Sequence, residues 1–261
     1  RKGKSIGFVP TMGALHEGHG SLLRQARKEN DAVVLSIFVN PKQFGKNEDF
    51  TKYPREKNKD CLFAKKQNVD IIFYPSVKEI YPRSFLTSIK VTGMTGQMCG
   101  RFRPGHFDGV ALVVTKLLNI VMPDTLYLGQ KDAQQCAVIK RIVKDLNIPV
   151  TVWICPTVRE KNGLAMSSRN QYLTPQQRQE ASILYKALTE ARRTIKKGEK
   201  NTARIIQEIS SLIKANSSGK IQYIECVDPD TLKPVKKIGQ PVLIATAVWF
   251  GKARLIDNIL V

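Results

Sequence analysis

A chain of 261 residues, 42% hydrophobic and 25% charged, has the composition of an ordinary globular protein and enough length for one large core or two smaller ones. No apolar run reaches membrane-spanning length and the opening residues lack a leader-like pattern, so neither a membrane partner nor a signal peptide is expected. The formal net charge of +20 is spread along the chain without a basic tail, and only 7% of residues are aromatic; such a dispersed field is equally suited to anionic small substrates, and no specific nucleic-acid partner is expected.

In chain order, Ser5 to Val9 reads as a short buried strand, and Ser21 to Asn30 as an amphipathic helix with Leu22, Leu23 and Ala26 on one face. Ala32 to Val39 is a continuous apolar run ending at Asn40-Pro41, as for a strand buried on both faces. A polar loop from Lys42 to Tyr53 leads to a helix from about Pro54 to Gln67, with proline at its start. Asp70 to Tyr74 is a strand, Asp108 to Val121 an apolar helix stopped by Met122-Pro123, and Thr125 to Leu128 a strand. Ala133 to Leu146 is a helix and Val150 to Cys155 a strand. This alternation predicts a doubly wound parallel sheet over residues 1–157, with ligands at the carboxyl ends of its strands. The segments Thr11–His19, Asn40–Phe44 and Gly129–Asp132 are therefore expected to converge.

Beyond Val158 the pattern changes. Two helices, Pro175 to Lys197 and Thr202 to Asn216, precede three strands, Ile221–Val227, Val242–Phe250 and Ala253–Leu260, predicting a smaller α+β domain over residues 158–261. Cys61, Cys99, Cys136, Cys155 and Cys226 are odd in number and form no CxxC pair, which fits a reducing, cytoplasmic setting.

The chemistry gathers at the junctions. Pro10-Thr-Met-Gly-Ala-Leu-His16-Glu-Gly-His19 places two histidines three residues apart where a strand meets a helix, on one face of the first turn. Backbone N–H groups at a helix start attract phosphate, and imidazole donors can join them; surface polarity or a metal pair is the plainer account of such spacing. The chain has only three histidines and its cysteines lie far apart, so further metal ligands are hard to find. Lys131, between a strand and a helix, offers phosphate a point charge, while Asp132 can cap the helix or orient Lys131 and a ribose. Met166-Ser167-Ser168-Arg169 can clamp a polyphosphate or serve as a solvated, flexible linker. Asn40, Gln43 and Gln135 supply neutral amides suited to a hydroxy-carboxylate.

Five segments in order, Pro10 to His19, Asn40-Pro-Lys-Gln-Phe-Gly45, Arg103-Pro-Gly-His-Phe107, Gly129-Gln-Lys-Asp132 and Gly163-Leu-Ala-Met-Ser-Ser-Arg-Asn170, resemble the pantoate–β-alanine ligase family. The His-x-x-His element is also similar to the signature of the wider nucleotidylyltransferase superfamily. The resemblance implies a Rossmann-like α/β fold with a smaller C-terminal α+β lid domain, a homodimer, and use of Mg2+. It implies that Met12, Gly13, Ala14, Leu15, His16, Glu17, Gly18 and His19 bind ATP, with His19 the catalytic acid. Gly129, Gln130, Lys131, Asp132, Val158, Met166, Ser167, Ser168 and Arg169 complete the implied ATP site. Gln43 and Gln135 would hold pantoate with Asn40 beside them, and Gln43 would border β-alanine.

The implied reaction has two steps: adenylation of pantoate, then attack of the β-alanine amine on pantoyl adenylate. Three positions depart from the family pattern. Gln130 stands where many members carry Glu, and Gln97 and Cys99 replace the acids of a Glu-Leu-Glu-Gly pattern. Asp60, in Lys59-Asp60, matches one member of an acidic pair found near magnesium and is the single metal candidate. A nucleotidylyltransferase of other specificity and a nucleic-acid-binding protein are the alternatives.

Overall fold

The computed structural model describes residues 3–45, 48 and 50–261. In chain order its elements are β1 (Ile6–Thr11), α1 (Glu17–Glu29), β2 (Ala32–Ile37), α2 (Lys57–Lys66), β3 (Ile71–Phe73), α3 (Val77–Ile80), α4 (Met98–Phe102), α5 (His106–Val121), β4 (Thr125–Gly129), α6 (Ala133–Asp145) and β5 (Thr151–Cys155), then α7 (Pro175–Glu180), α8 (Ile183–Lys196), α9 (Thr202–Asn216), β6 (Lys220–Val227), β7 (Leu243–Phe250) and β8 (Ala253–Leu260). They form two compact units. The first comprises Arg1–Gly96, Gly100–Gly129 and Val138–Pro156; the second comprises Gln97–Cys99, Gln130–Ala137 and Thr157–Val261.

Among the described residues, the first unit carries a five-stranded parallel sheet in the order β3-β2-β1-β4-β5. Its central strands read as apolar runs because both faces are covered: Phe8, Val9, Val33, Leu35 and Leu126 are fully buried. The chain leaves β1 toward β2 on one side and returns through β4 on the other. The switch point of the sheet, where such folds bind ligands, therefore lies beside the carboxyl end of β1. Helix α1 buries Leu22, Leu23 and Ala26 against Val9, Val33, Leu35 and Tyr127, and each leucine contributes about 1.5–3 kcal/mol on burial.

The second unit carries an antiparallel sheet in the order β6-β7-β8. Ile183, Leu184, Ala187, Leu188 and Ala191 of α8, with Ile205, Ile209 and Ile213 of α9, are its buried helical stripes.

Two helix expectations are corrected. The helix expected from Pro54 begins at Lys57, because Arg55 donates to the carbonyls of Phe50 (3.0 Å) and Tyr53 (3.2 Å) and Glu56 has non-helical backbone angles. The helix expected to run unbroken from Pro175 to Lys197 is interrupted at Ala181-Ser182. There Ser182 Oγ donates to the Gln179 carbonyl at 2.7 Å and its N–H reaches the same carbonyl at 3.3 Å, which tightens the turn and ends the helix. The short helices α3 and α4 were not expected. Positions 46, 47 and 49 of the predicted Lys42–Tyr53 loop lie outside the described residues.

One side chain fixes the path from β1 to α1. Gly13 (φ +84°) and Ala14 (φ +50°) are both left-handed, a conformation that strains alanine. Asp60 of α2, buried to 3% exposure, accepts the N–H of Ala14 on Oδ2 (3.0 Å) and that of Leu15 on Oδ1 (2.8 Å). A Cβ on Gly13 would stand 2.8 Å from the same Oδ2, so the carboxylate and the glycine require each other.

Asp60→Asn keeps the shape but turns an amide NH2 toward one of those two backbone donors. It is expected to lower stability by about 1–3 kcal/mol, the effect of one buried donor left unmet. Urea unfolding should show a lower midpoint with unchanged slope; an unchanged midpoint would show that the carboxylate does not hold this loop.

Candidate active site

The β1–α1 junction of the first unit is built by its two histidines. His16 is the N-cap of α1, and its Nδ1 accepts the N–H of Gly18 at 3.1 Å. His19, in the first turn, returns the arrangement: its Nδ1 accepts the N–H of His16 at 3.2 Å. This is a capping box made by imidazoles. An Nδ1 that accepts a hydrogen bond carries no proton, so both neutral rings bear theirs on Nε2. The ring centroids are 4.1 Å apart. Two imidazole donors, their rings tilted 41° to each other, thus sit at a helix start whose dipole favours an anion.

The segment after β2 converges on this junction, as expected. Gln43 Nε2 lies 2.8 Å from Met12 Sδ, and Thr11 Oγ1 donates to the Ser36 carbonyl at 2.8 Å. Asn40 has an internal place. Its Nδ2 donates to Gln43 Oε1 (3.1 Å) and the Gly109 carbonyl (3.0 Å), and its Oδ1 accepts the Lys42 N–H (3.2 Å) and the Tyr81 hydroxyl (2.9 Å). It is 1% exposed and holds Gln43 in place rather than presenting its own amide. Gly109 permits a close approach beneath the same turn, where a Cβ would fall 2.2 Å from the Lys42 carbonyl oxygen.

A third support comes from Arg103 and His106. Guanidinium only donates, so Arg103 Nη1, 2.9 Å from His106 Nε2, makes that nitrogen the acceptor and leaves Nδ1–H to donate to the Gln43 carbonyl at 2.8 Å. Arg103 is itself gripped by Glu48 through both carboxylate oxygens. Burial pushes the Glu48 carboxyl up, but the hydrogen bond and charge of Arg103 outweigh it and hold the group below its ordinary range.

Asp60, expected beside a metal, instead serves the loop: both its oxygens take backbone N–H groups. Among the described residues no group of three or more His, Cys, Asp or Glu is arranged to hold an ion.

In the second unit, Gln130, Lys131 and Asp132 form a single 3-10 turn leading into α6. Lys131 Nζ lies 3.6 Å from Asp132 Oδ2, and its side chain is 21% exposed. Gln135 follows on the first turn of α6, partly exposed.

The stretch from Arg159 to Asn170, whose Met166–Arg169 segment the sequence offers as a polyphosphate clamp or a solvated linker, is folded. Arg159 pairs with Ala165, Met166 N–H donates to the Val158 carbonyl at 2.9 Å, and Gly163 turns the hairpin at φ +95°. Ser167 caps the next 3-10 turn, Ser168–Tyr172, accepting the Arg169 N–H at 3.3 Å. Asn170, buried, ties that turn to Glu160 (2.9 Å) and to the Ala165 carbonyl (3.1 Å). Burial raises the Glu160 carboxyl, yet hydrogen bonds from Arg178 and Asn170 hold it below its usual range.

Several residues that matter to this geometry were not singled out from sequence. Glu48 and the Asp257–Asn258 pair carry no local pattern, since their partners lie far away in the chain. Arg103 and His106 stood inside a matched segment, whose proline and glycine hinted at a turn but not at its target. At the departures Gln97 and Cys99, Gln134 donates to the Gln97 carbonyl (2.8 Å) and accepts the Cys99 N–H (3.0 Å), so the backbone is held without either acid.

The family profile described as pantoate–β-alanine ligase matches residues 1–260. A pantothenate synthetase of Caldicellulosiruptor saccharolyticus is 56% identical over 261 residues, covering 100% of this chain and 93% of that relative. A pantothenate synthetase of Thermotoga petrophila is 54% identical over 98% of this chain and 92% of its own length. The crystal structure of pantothenate synthetase from Thermus thermophilus superposes with a TM-score of 0.94 at 44% identity, covering 98% of this chain and 92% of that one. A pantoate–β-alanine ligase from Francisella tularensis, solved in complex with β-γ ATP and β-alanine, gives a TM-score of 0.79 at 40% identity over 100% of this chain and 91% of its own. With its five motif segments in order and a match along its full length, the chain belongs to the pantoate–β-alanine ligase family.

Proposed function

We propose that this ligase works in two steps through pantoyl adenylate. A pantoate carboxylate oxygen attacks the α-phosphorus of ATP and the bond to pyrophosphate breaks. The β-alanine amine, having lost a proton, then attacks the acyl carbon, the bond to AMP breaks, and the amide of pantothenate remains. No protein nucleophile takes part, so catalysis rests on position and charge.

The observation that carries this reading is the imidazole capping box, with the ring protons of His16 and His19 on Nε2 at a helix start. Those protons are donors for charge developing on the phosphoryl oxygens, His19 acting as the catalytic acid. Met12 to His19, with Gly129 to Asp132, Val158 and Met166 to Arg169, bind ATP. Lys131 and Arg169 neutralise the triphosphate, and Ser167 and Ser168 add hydroxyl donors. Gln43 and Gln135 bind pantoate, Gln43 also borders β-alanine, and Asn40 positions Gln43. Mg2+ would accompany the triphosphate, whose oxygens are its usual ligands in such sites.

The reading extends to a homodimer in the cytoplasm. The family resemblance supports the homodimer, and the five cysteines are thiols, which suits a reducing compartment. Among the described residues no helix is long and apolar enough to cross a membrane.

Three outcomes test the reading. ATP and pantoate alone should release pyrophosphate in a burst of about one per active site, because an anhydride kept from water persists until an amine arrives. Rapid-quench traces with no pyrophosphate until β-alanine is added would falsify the two-step order. His19→Ala should slow adenylation roughly a hundred- to thousandfold, the loss of about 3–4 kcal/mol from one donor, in a protein with unchanged circular dichroism. Near-normal turnover there would remove His19 from the chemistry. Gln43→Ala should weaken pantoate far more than ATP, since a buried amide selects a hydroxy-acid through the bonds it leaves unmet with others. Equal losses for both ligands by calorimetry would place Gln43 outside the acid pocket.

A further inference from the structure

Asn258 of β8 lies only 5% exposed, opposite the turn that carries Lys131. Its Nδ2 donates to two successive carbonyls, Gln130 O at 2.9 Å and Lys131 O at 2.9 Å. Its Oδ1 accepts Gln130 Nε2 at 3.0 Å. The two carbonyls can only face an amide nitrogen, so the orientation of Asn258 is fixed, and Gln130 meets the oxygen that remains. Two bonds thus hold the backbone from which the Lys131 side chain projects, and a third, from the Gln130 side chain, holds Asn258 in turn. The neighbouring residue, Asp257, 2% exposed, grips Arg159 at 2.6 and 2.9 Å, and Arg159 in turn holds the Gly163 carbonyl at 3.1 Å. The support beneath Asn258 is therefore rigid. Gln130, a departure from the family's usual acid, is the donor that completes the lock.

We propose that Asn258, seconded by Gln130, is a positioning residue for Lys131: it sets the reach of that ammonium toward the triphosphate and touches no substrate itself. This rests on the reading that Lys131 neutralises phosphate. The test is a double-mutant cycle on pantoate-dependent exchange of labelled pyrophosphate into ATP. Asn258→Ala should slow exchange roughly ten- to hundredfold, as misplacement of a charged group does, with the pantoate KM unmoved. In a Lys131→Ala background the same substitution should change exchange by less than about twofold, because the group it positions is gone.

An equal loss in both backgrounds would make Asn258 a general structural residue and overturn the proposal. Exchange at the parent rate in Lys131→Ala alone would instead overturn the phosphate role of Lys131, and the proposal with it. If Asn258→Ala fails to fold by thermal melting, Gln130→Leu carries the same cycle. It removes one neutral hydrogen bond and should slow exchange about fivefold in the parent background only. A Gln130→Leu loss that persists without Lys131 would overturn the proposal too.

Discussion

The N–H groups of His16 and Gly18 each end on an imidazole Nδ1, and this reciprocal pair decides what the first unit offers a ligand. A serine or aspartate at the same position would cap the helix equally well but would bring no second nitrogen to the junction. Imidazole does both, because its two nitrogens lie on opposite edges of one rigid ring. The cap consumes Nδ1, and the proton that chemistry needs is thereby confined to Nε2. The left-handed turn before it, held by Asp60, brings β1 into α1 at the angle this arrangement needs.

The charge balance has a local logic as well as a global one. Several acids of this basic chain are committed to single basic partners: Glu48 to Arg103, Glu160 to Arg178 and Asp257 to Arg159. The Asp257–Arg159 pair is bidentate and its acid is almost wholly buried, a geometry that fixes position more than it adds stability. Such pairing absorbs negative charge into structural roles and leaves the surplus of lysine and arginine to set the long-range field. That field favours the approach of anions such as a nucleotide or a carboxylate.

Much of this was legible in the residues. The parallel strands announced themselves as apolar runs, and the helices of both units by their buried stripes, because burial on one face or two leaves a periodic trace. Helix starts were less legible. Arg55 delays α2 through two carbonyls, and Ser182 divides the predicted long helix through a single hydroxyl, effects that composition over a window averages away. In the site, the residues on the strand-to-helix junctions were visible as motifs. Asp60, Glu48 and Asn258 were not visible in their present roles, since each acts on a backbone or side-chain group many residues distant. The linker alternative at Met166–Arg169 arises because the polar sequence from Arg159 to Asn170 hides a hairpin tied by main-chain bonds.

The contact between Gly109 and the Lys42 carbonyl reaches beyond packing. It joins the backbone of α5 to the backbone of the Asn40–Gln43 turn with no side chain between them, while Asn40 and His106 stitch the same two segments from either side. Neither segment can drift alone over evolutionary time: an insertion or a bulkier residue in one demands a compensating change in the other. The two stretches, more than sixty residues apart, are in effect a single heritable unit.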